Sequence, residues 1–300
     1  MPCSTPVSGI ADEPPEAGGV AHHPGRPRRR RLVRRLLRTP GGAAGAALST
    51  TVVAVALLAD VLVPESPFRP VGPALQAPSP AHPMGTDDLG RDLLAGIVHG
   101  ARTSLTVAVL VGLLAVVIGV LVGTLSGYRG GLVDDVLMRV TELFQVLPRF
   151  FLAVVVIAAF GASLELLVLV LGLTSWEILA RVVRAEVMSL RQREFVEASI
   201  ASGASAARVV VREILPNALP AVVVFLGLLL AQVILLEATL GFIGLGDPSR
   251  ISWGYLAGQA QRFLRVAWWM SFFPGVAIVV AVLGLNLVGD ALNDVLGGRR

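Results

Sequence analysis

The sequence predicts an all-α fold: a polytopic membrane helix bundle with about six transmembrane helices, each near the 20 residues that cross a bilayer. Three observations carry this. Of the 300 residues, 54% are hydrophobic and only 15% charged, against about 25% charged in soluble domains. The mean hydropathy is +0.75. Apolar runs of membrane-crossing length recur along the chain, separated by segments rich in Arg, Pro and Gly.

Residues 1–40 form the first unit. Met1 to Pro27 hold many Pro, Gly and Ala and few large apolar side chains, a composition that predicts disorder. The run RPRRRRLVRRLLR, Arg26 to Arg38, comes next. An apolar span follows at once, so the run reads as a cytoplasmic anchor on anionic lipid rather than a nucleic-acid arm. Every basic residue except His is Arg, and the single Cys3 excludes an intrachain disulfide.

Residues 41–63 are the first span, with its apolar run at Ala43 to Val63. That is longer than the apolar core of a signal peptide, about 7–15 residues. Asp60 stands near its outer end, within reach of headgroups. Residues 64–103 are an outer loop. The core bundle, 104–295, holds spans at Ser104 to Ser126, Pro148 to Gly161, Leu164 to Val183, Ala218 to Gly241 and Trp269 to Val288. A short tail, 296–300, ends the chain. Leu132 to Leu147 has helical apolar spacing and reads as an interfacial helix that Pro148 kinks or ends. With the N-terminus inside, Arg is in excess on the inner segments. That places both termini in the cytoplasm of a multi-pass cell-membrane protein.

The segment 184–217 is a polar island between the fourth and fifth spans. A helix starting near Glu194 meets Gly203, which accepts the left-handed cap at low cost. Ser205 is placed to cap a second short helix, Ala206 to Leu215. Pro216 and Pro220 mark the entry to the next span. The product is two short helices on the membrane surface, with small residues for close approach and Glu197, Arg208 and Arg212 for charge-assisted bonds. These residues alone leave a docking element and a plain solvated loop equally open.

Polar groups near the spans are pathway candidates: Glu165, Glu177, Gln232, Glu237 and Asn286. Glu165 and Glu177 read as span-end residues that meet water. Gln232 serves as interhelical glue or pathway lining, and Glu237 as lining near an outer gate. Asp87, Asp88, Arg91 and Asp92 either receive an extracytoplasmic partner or stabilise the outer loop. The four His residues are scattered, so no metal site is expected. No phosphate-cradling GxxxxGK[ST] sequence is present, because the chain has no Lys. No catalytic residues are assigned.

Several motifs resemble one family. Glu197-Ala198-Ser199, Gly203 and Ile214-Leu215-Pro216 are similar to the EAA loop of ABC importer permeases, with Ser at the third position where Ala is usual. His82 to Asp92 followed by Gly100 to Leu105, Gly241 to Gly246 with Ser252-Trp253-Gly254, and Asn286 to Asp294 are similar to further segments of the same family. The resemblance is to the C-type permease subunit of dipeptide, oligopeptide and nickel importers, over about Arg31 to Arg300.

That resemblance implies a type I ABC importer permease fold and a non-catalytic transport subunit. Glu197, Ala198, Ser199, Gly203, Ile214, Leu215 and Pro216 would form the coupling region. Glu197 would be a polar contact, Gly203 the turn and Pro216 the fixed end. The implied partners are a second homologous permease subunit, one or two cytoplasmic ATPase subunits that bind ATP and Mg, and an extracytoplasmic solute-binding protein. This chain itself would bind no cofactor. Peptide cargo leads; nickel or another small solute on the same fold is the alternative, ahead of a self-contained secondary transporter or a membrane-embedded enzyme.

Overall fold

A computed structural model describes residues 35–297. The expected disordered segment before Arg35, with most of the Arg run, and the last three residues lie outside the described part.

Helix α1, Pro40–Leu57, opens with Thr39, whose hydroxyl accepts from the Gly42 amide, and with Pro at its first turn. One further helical turn, Ala59–Leu62, follows. The chain then runs through an irregular loop to α2, Leu93–Arg129. This helix begins well before the expected Ser104, because the Asp92 carboxylate accepts from the Ala95 amide and caps it. Asp92 reads in sequence as one more loop residue.

Helices α3, Gly131–Val146, and α4, Arg149–Phe160, meet at a 74° bend on Leu147–Pro148. Pro148 therefore ends the interfacial helix. Leu132, Val136, Leu143 and Val146 lie on its exposed apolar stripe. The fourth span is longer than expected and is broken. Helix α5, Leu164–Leu173, and α6, Glu177–Arg191, form a 28-residue span interrupted at Thr174–Trp176. Side chains cover the carbonyls that the break frees: Thr174 Oγ1 donates to Val170 O at 2.7 Å, and Trp176 Nε1 to Leu173 O at 2.9 Å. A broken helix persists in a bilayer only with such internal partners.

Then come α7, Glu194–Ala201, α8, Ala206–Val209, a π-turn over Val210–Ile214, and α9, Leu215–Phe242. Helix α10, Trp253–Ala260, lies beside the last turns of α9, and α11, Trp269–Gly297, closes the bundle. Among the described residues, five helices are long and apolar enough to span, or six with α3–α4 taken as one bent span.

Helix α2 is the central post. Its Gly119, Gly123 and Gly127, one per turn, face α6; a Cβ on Gly123 would stand 2.4 Å from Ala180 O. Small residues at this spacing let two helix backbones touch, which is how helices associate where lipid gives no hydrophobic drive. The bundle thus has two ends. The loop end carries residues 63–92, the α4–α5 link and the 243–268 region. The island end carries α7 and the start of α8.

Candidate functional site

The island end is built on an apolar anchor. Val196 of α7 is fully buried and packs in one cluster with Leu190, Val209 and Ile214. Burial of a Val side chain contributes about 1.5–3 kcal/mol, enough to hold a two-turn helix against the bundle. The rest of α7 faces outward. Phe195 is 42% exposed and Ile200 48% exposed; Glu197 and Ala198 between them are exposed and Ser199 half-buried. Phe195 and Ile200 thus set two large apolar side chains beside the Glu197 carboxylate on the exposed face of α7.

The turn is as expected at Gly203. Its φ is +81°, and its Cβ would meet nothing within 4 Å. The Ala204 amide donates to Ser199 O at 3.1 Å and the Gly203 amide to Ile200 O at 2.9 Å, the paired bonds of a Schellman cap. Ser205 holds the N-cap position with extended backbone, but its side chain makes no cap bond.

Two further details of the island differ from the sequence reading. The second helix does not stop at Leu215. Ala206 to Phe242 forms one 37-residue helical span, so Pro216 is no fixed end between two elements. Pro216 lacks an amide hydrogen, and the preceding π-turn moves the ladder by one residue: the Leu215 amide bonds to Val210 O. Asn217 Nδ2 also donates to Glu213 O at 2.5 Å. The proline is thereby absorbed within the helix. Ile214 is fully buried beneath the turn, Leu215 is half-buried and Pro216 exposed. The segment between α6 and α8 is also shorter than 184–217, because α6 runs to Arg191. The π-turn joins the island to the α9 span as one continuous helix, and Pro220, read from the sequence as marking the entry to that span, lies inside it.

Next to this end, Arg184 of α6 grips Asp134 of α3 with Nε and Nη2 at 2.6 and 2.5 Å, and Ser126 of α2 donates to the same carboxylate. Three helices are tied there. A second pair lies deeper. Arg149, the first residue of α4, donates to Glu177, the first of α6. Glu177 is 2% exposed and stands about 20 Å along the span from Leu164 at 1.5 Å per residue. It does not meet water at a span end. The two helix breaks, Pro148 and Thr174–Trp176, lie side by side, and the ion pair joins them. No local pattern in the sequence pairs residues so far apart; the only signal was a carboxylate inside an apolar run. Glu165, by contrast, is exposed at the start of α5.

Gln232 and Glu237 occupy opposite faces of α9. Glu237 is buried and accepts from Ser104 Oγ at 3.0 Å, joining α9 to α2. Gln232 is exposed on one face with Leu228, Leu235 and Thr239, away from the core of this chain.

At the loop end the four candidate residues separate. Asp87 accepts from the Leu89 and Arg91 amides at 2.9 and 2.7 Å, and burial pushes its carboxyl above the usual carboxylate range. Asp92 caps α2 and pairs with His82 Nδ1 at 2.9 Å. Arg91 lies over the Phe68 ring. These three serve the loop itself. Asp88 is only half-buried and borders a cavity. Thr86 and Trp269, not singled out in the sequence, pin the loop: Thr86 Oγ1 donates to Pro73 O at 2.7 Å, and Trp269 Nε1 donates to Thr86 O at 3.1 Å.

Comparison with known proteins agrees with this architecture. Residues 89–300 match the family described as binding-protein-dependent transport system inner membrane component. The chain is 35% identical over 247 residues to the dipeptide transport system permease protein DppC of Alkalihalophilus pseudofirmus, covering 81% of each. It is 41% identical over 216 residues to the oligopeptide transport system permease protein OppC of Escherichia coli (strain K12), covering 72% of each. Among solved structures, the inward-facing MetNI methionine ABC transporter superposes with a TM-score of 0.54 at 21% identity, over 68% of this chain and 97% of that one. This last likeness is one of fold. The chain belongs to the binding-protein-dependent transport system inner membrane component family and is an ABC transporter permease subunit.

Proposed function

We propose that this permease imports short peptides and takes its energy from a separate ATPase through α7. The observation that carries the reading is the outward face of α7, Phe195 to Ile200, on a helix whose other side is locked into the bundle by Val196. Glu197 is its polar contact and Gly203 its turn. One or two cytoplasmic ATPase subunits, which hold ATP and Mg, seat this helix in a groove. Closure of the ATPases pushes α7. The push passes to α6 through the Arg191–Glu194 link and to α9 through the π-turn over Val210–Ile214. The breaks at Pro148 and Thr174–Trp176 let the outer halves of α3–α4 and α5–α6 move differently from the inner halves. The peptide cargo is drawn from the names of the relatives, DppC and OppC.

The remaining partners follow from exposed faces. The α9 face with Leu228, Gln232 and Leu235 lies against a second homologous permease subunit, which places Gln232 beside the shared pathway. Glu237 braces that helix from behind. An extracytoplasmic solute-binding protein sits over the loop end at Asp88, on the scaffold that Asp87, Arg91 and Asp92 hold. Both chain termini face the cytoplasm, where the N-terminal Arg run rests on anionic lipid.

Purification of the chain from its own membranes in mild detergent, with mass spectrometry of the associated proteins, tests the reading. Recovery of an ATPase, a second permease and a binding protein that takes up peptides is the expected result. A binding protein loaded with nickel instead would overturn the cargo. Transport by this chain alone would overturn the coupling.

A further inference from the structure

The two ion pairs of the broken spans are built differently. Asp134 of α3 takes Nε and Nη2 of Arg184 and the Ser126 hydroxyl. That pair joins the two half-spans nearer the island, α3 and α6. The Arg149–Glu177 pair is crossed. Arg149 opens α4, the half nearer the loop end, and Glu177 opens α6, the half nearer the island. Within the α5–α6 span about 20 Å of helix lies on either side of Glu177, so the pair stands at mid-depth.

Stability does not account for this pair. Glu177 is buried, and its Oε2 is shielded from water without a partner. Among the described residues Arg149 is the one donor to its carboxylate. A buried ion pair offsets its own desolvation only when further hydrogen bonds fill the remaining lone pairs, and apolar residues of similar volume often serve stability as well or better. What such a pair fixes is position. Here it joins two helices whose backbones scarcely meet, because α4 packs along α5 and α9 and not along α6. A ring contact secures the α6 side: Trp176, just before Glu177, lies 5.3 Å from Phe144 near the end of α3, centroid to centroid. Helix α4 in turn exposes Phe151 and Val155, so a shift of α4 moves an apolar surface that this chain leaves open.

We propose that Arg149 and Glu177 are positioning residues for transport, and that their pair carries the motion of α6 across the Pro148 bend to α4. Helix α6 runs unbroken from Glu177 to Arg191, where the link to α7 begins. A displacement of α7 moves the Glu177 end of this rod, and Arg149 follows. The inference rests on the coupling reading above and names the route by which the loop-end half of one span follows the island.

The test uses the complete importer in proteoliposomes, with dipeptide uptake and ATP hydrolysis measured together. Arg149→Met with Glu177→Leu replaces both charges by apolar side chains. Thermal melting is kept or raised, ATP hydrolysis continues, and uptake per ATP falls by more than about tenfold. A second variant, Arg149→Cys with Glu177→Cys in a Cys3→Ser background, compares one folded protein with and without the tie. Its uptake per ATP is low as purified and returns when a short bis-methanethiosulfonate cross-linker joins the two thiols. Wild-type uptake per ATP by either double variant without a cross-link overturns the inference and leaves the importer reading standing. A cross-link that restores nothing does the same. A wild-type importer that takes up dipeptide without hydrolysing ATP overturns the coupling reading and the inference with it.

Discussion

The two ends of the bundle use polar sequence in opposite ways. At the loop end, Thr86, Asp87 and Asp92 spend their hydrogen bonds inside the loop, and Trp269 reaches across from α11 to hold it. At the island end, α7 has one buried anchor, Val196, and turns Phe195, Glu197, Ala198 and Ile200 outward. Both stretches are polar islands between apolar spans, so composition does not separate them. Where the side chains find partners does. A loop that satisfies itself stabilises the chain; a helix that leaves its face open suits the contact with another chain proposed above.

The largest effect expected from this contrast is at the island. Gly203→Asp costs about 1–2 kcal/mol for a left-handed non-glycine residue, and a Cβ there has nothing within 4 Å among the described residues. We expect transport to fall by more than about tenfold while ATPase activity continues, with the chain still in the membrane; normal uptake by this variant breaks the comparison. Next comes Thr86→Ala at the loop end. It leaves the Gln76 amide and Pro73 carbonyl without their partner, at a cost of about 1–3 kcal/mol. Thermal melting in detergent should drop, while transport per folded molecule is kept. Asp92→Ala removes the α2 cap, worth about 0.5–2 kcal/mol, with the same signature.

The smallest effect is expected at Asp87. Burial raises its folded pKa, so the folded loop holds the proton more tightly than the unfolded chain does. That contribution is present at low pH and is lost as pH rises from the ordinary value of about 3.9 through the raised one. Asp87→Asn can still accept from the Leu89 and Arg91 amides. It should leave stability near wild type and flatten its acid-side pH dependence. A melting curve as steep in pH as the wild type's would show that Asp87 is not the titrating group.

The spans were legible because lipid demands long apolar runs, and the Gly203 turn because a left-handed cap demands glycine. What stayed hidden depended on distant or compensated contacts. Glu177 reads as a span-end residue until Arg149 is brought against it by two helix breaks. Pro216 reads as a helix end until the π-turn at Val210–Ile214 takes up its missing bond. Asp92 reads as one of four equivalent outer charges, although it is a helix cap. The candidate site was therefore visible as a set of residues. The division of Asp87, Asp88, Arg91 and Asp92 into three loop-holding residues and Asp88 was not.

The central claim is that the exposed face of α7 meets the ATPase. The direct measurement places a photo-crosslinking amino acid at Ala198, and in a second variant at Leu89, which is 50% exposed at the loop end. Irradiation in native membranes should attach an ATPase subunit to the Ala198 variant and none to the Leu89 variant. An Ala198 variant that captures no ATPase, in membranes where transport remains active, would contradict the account.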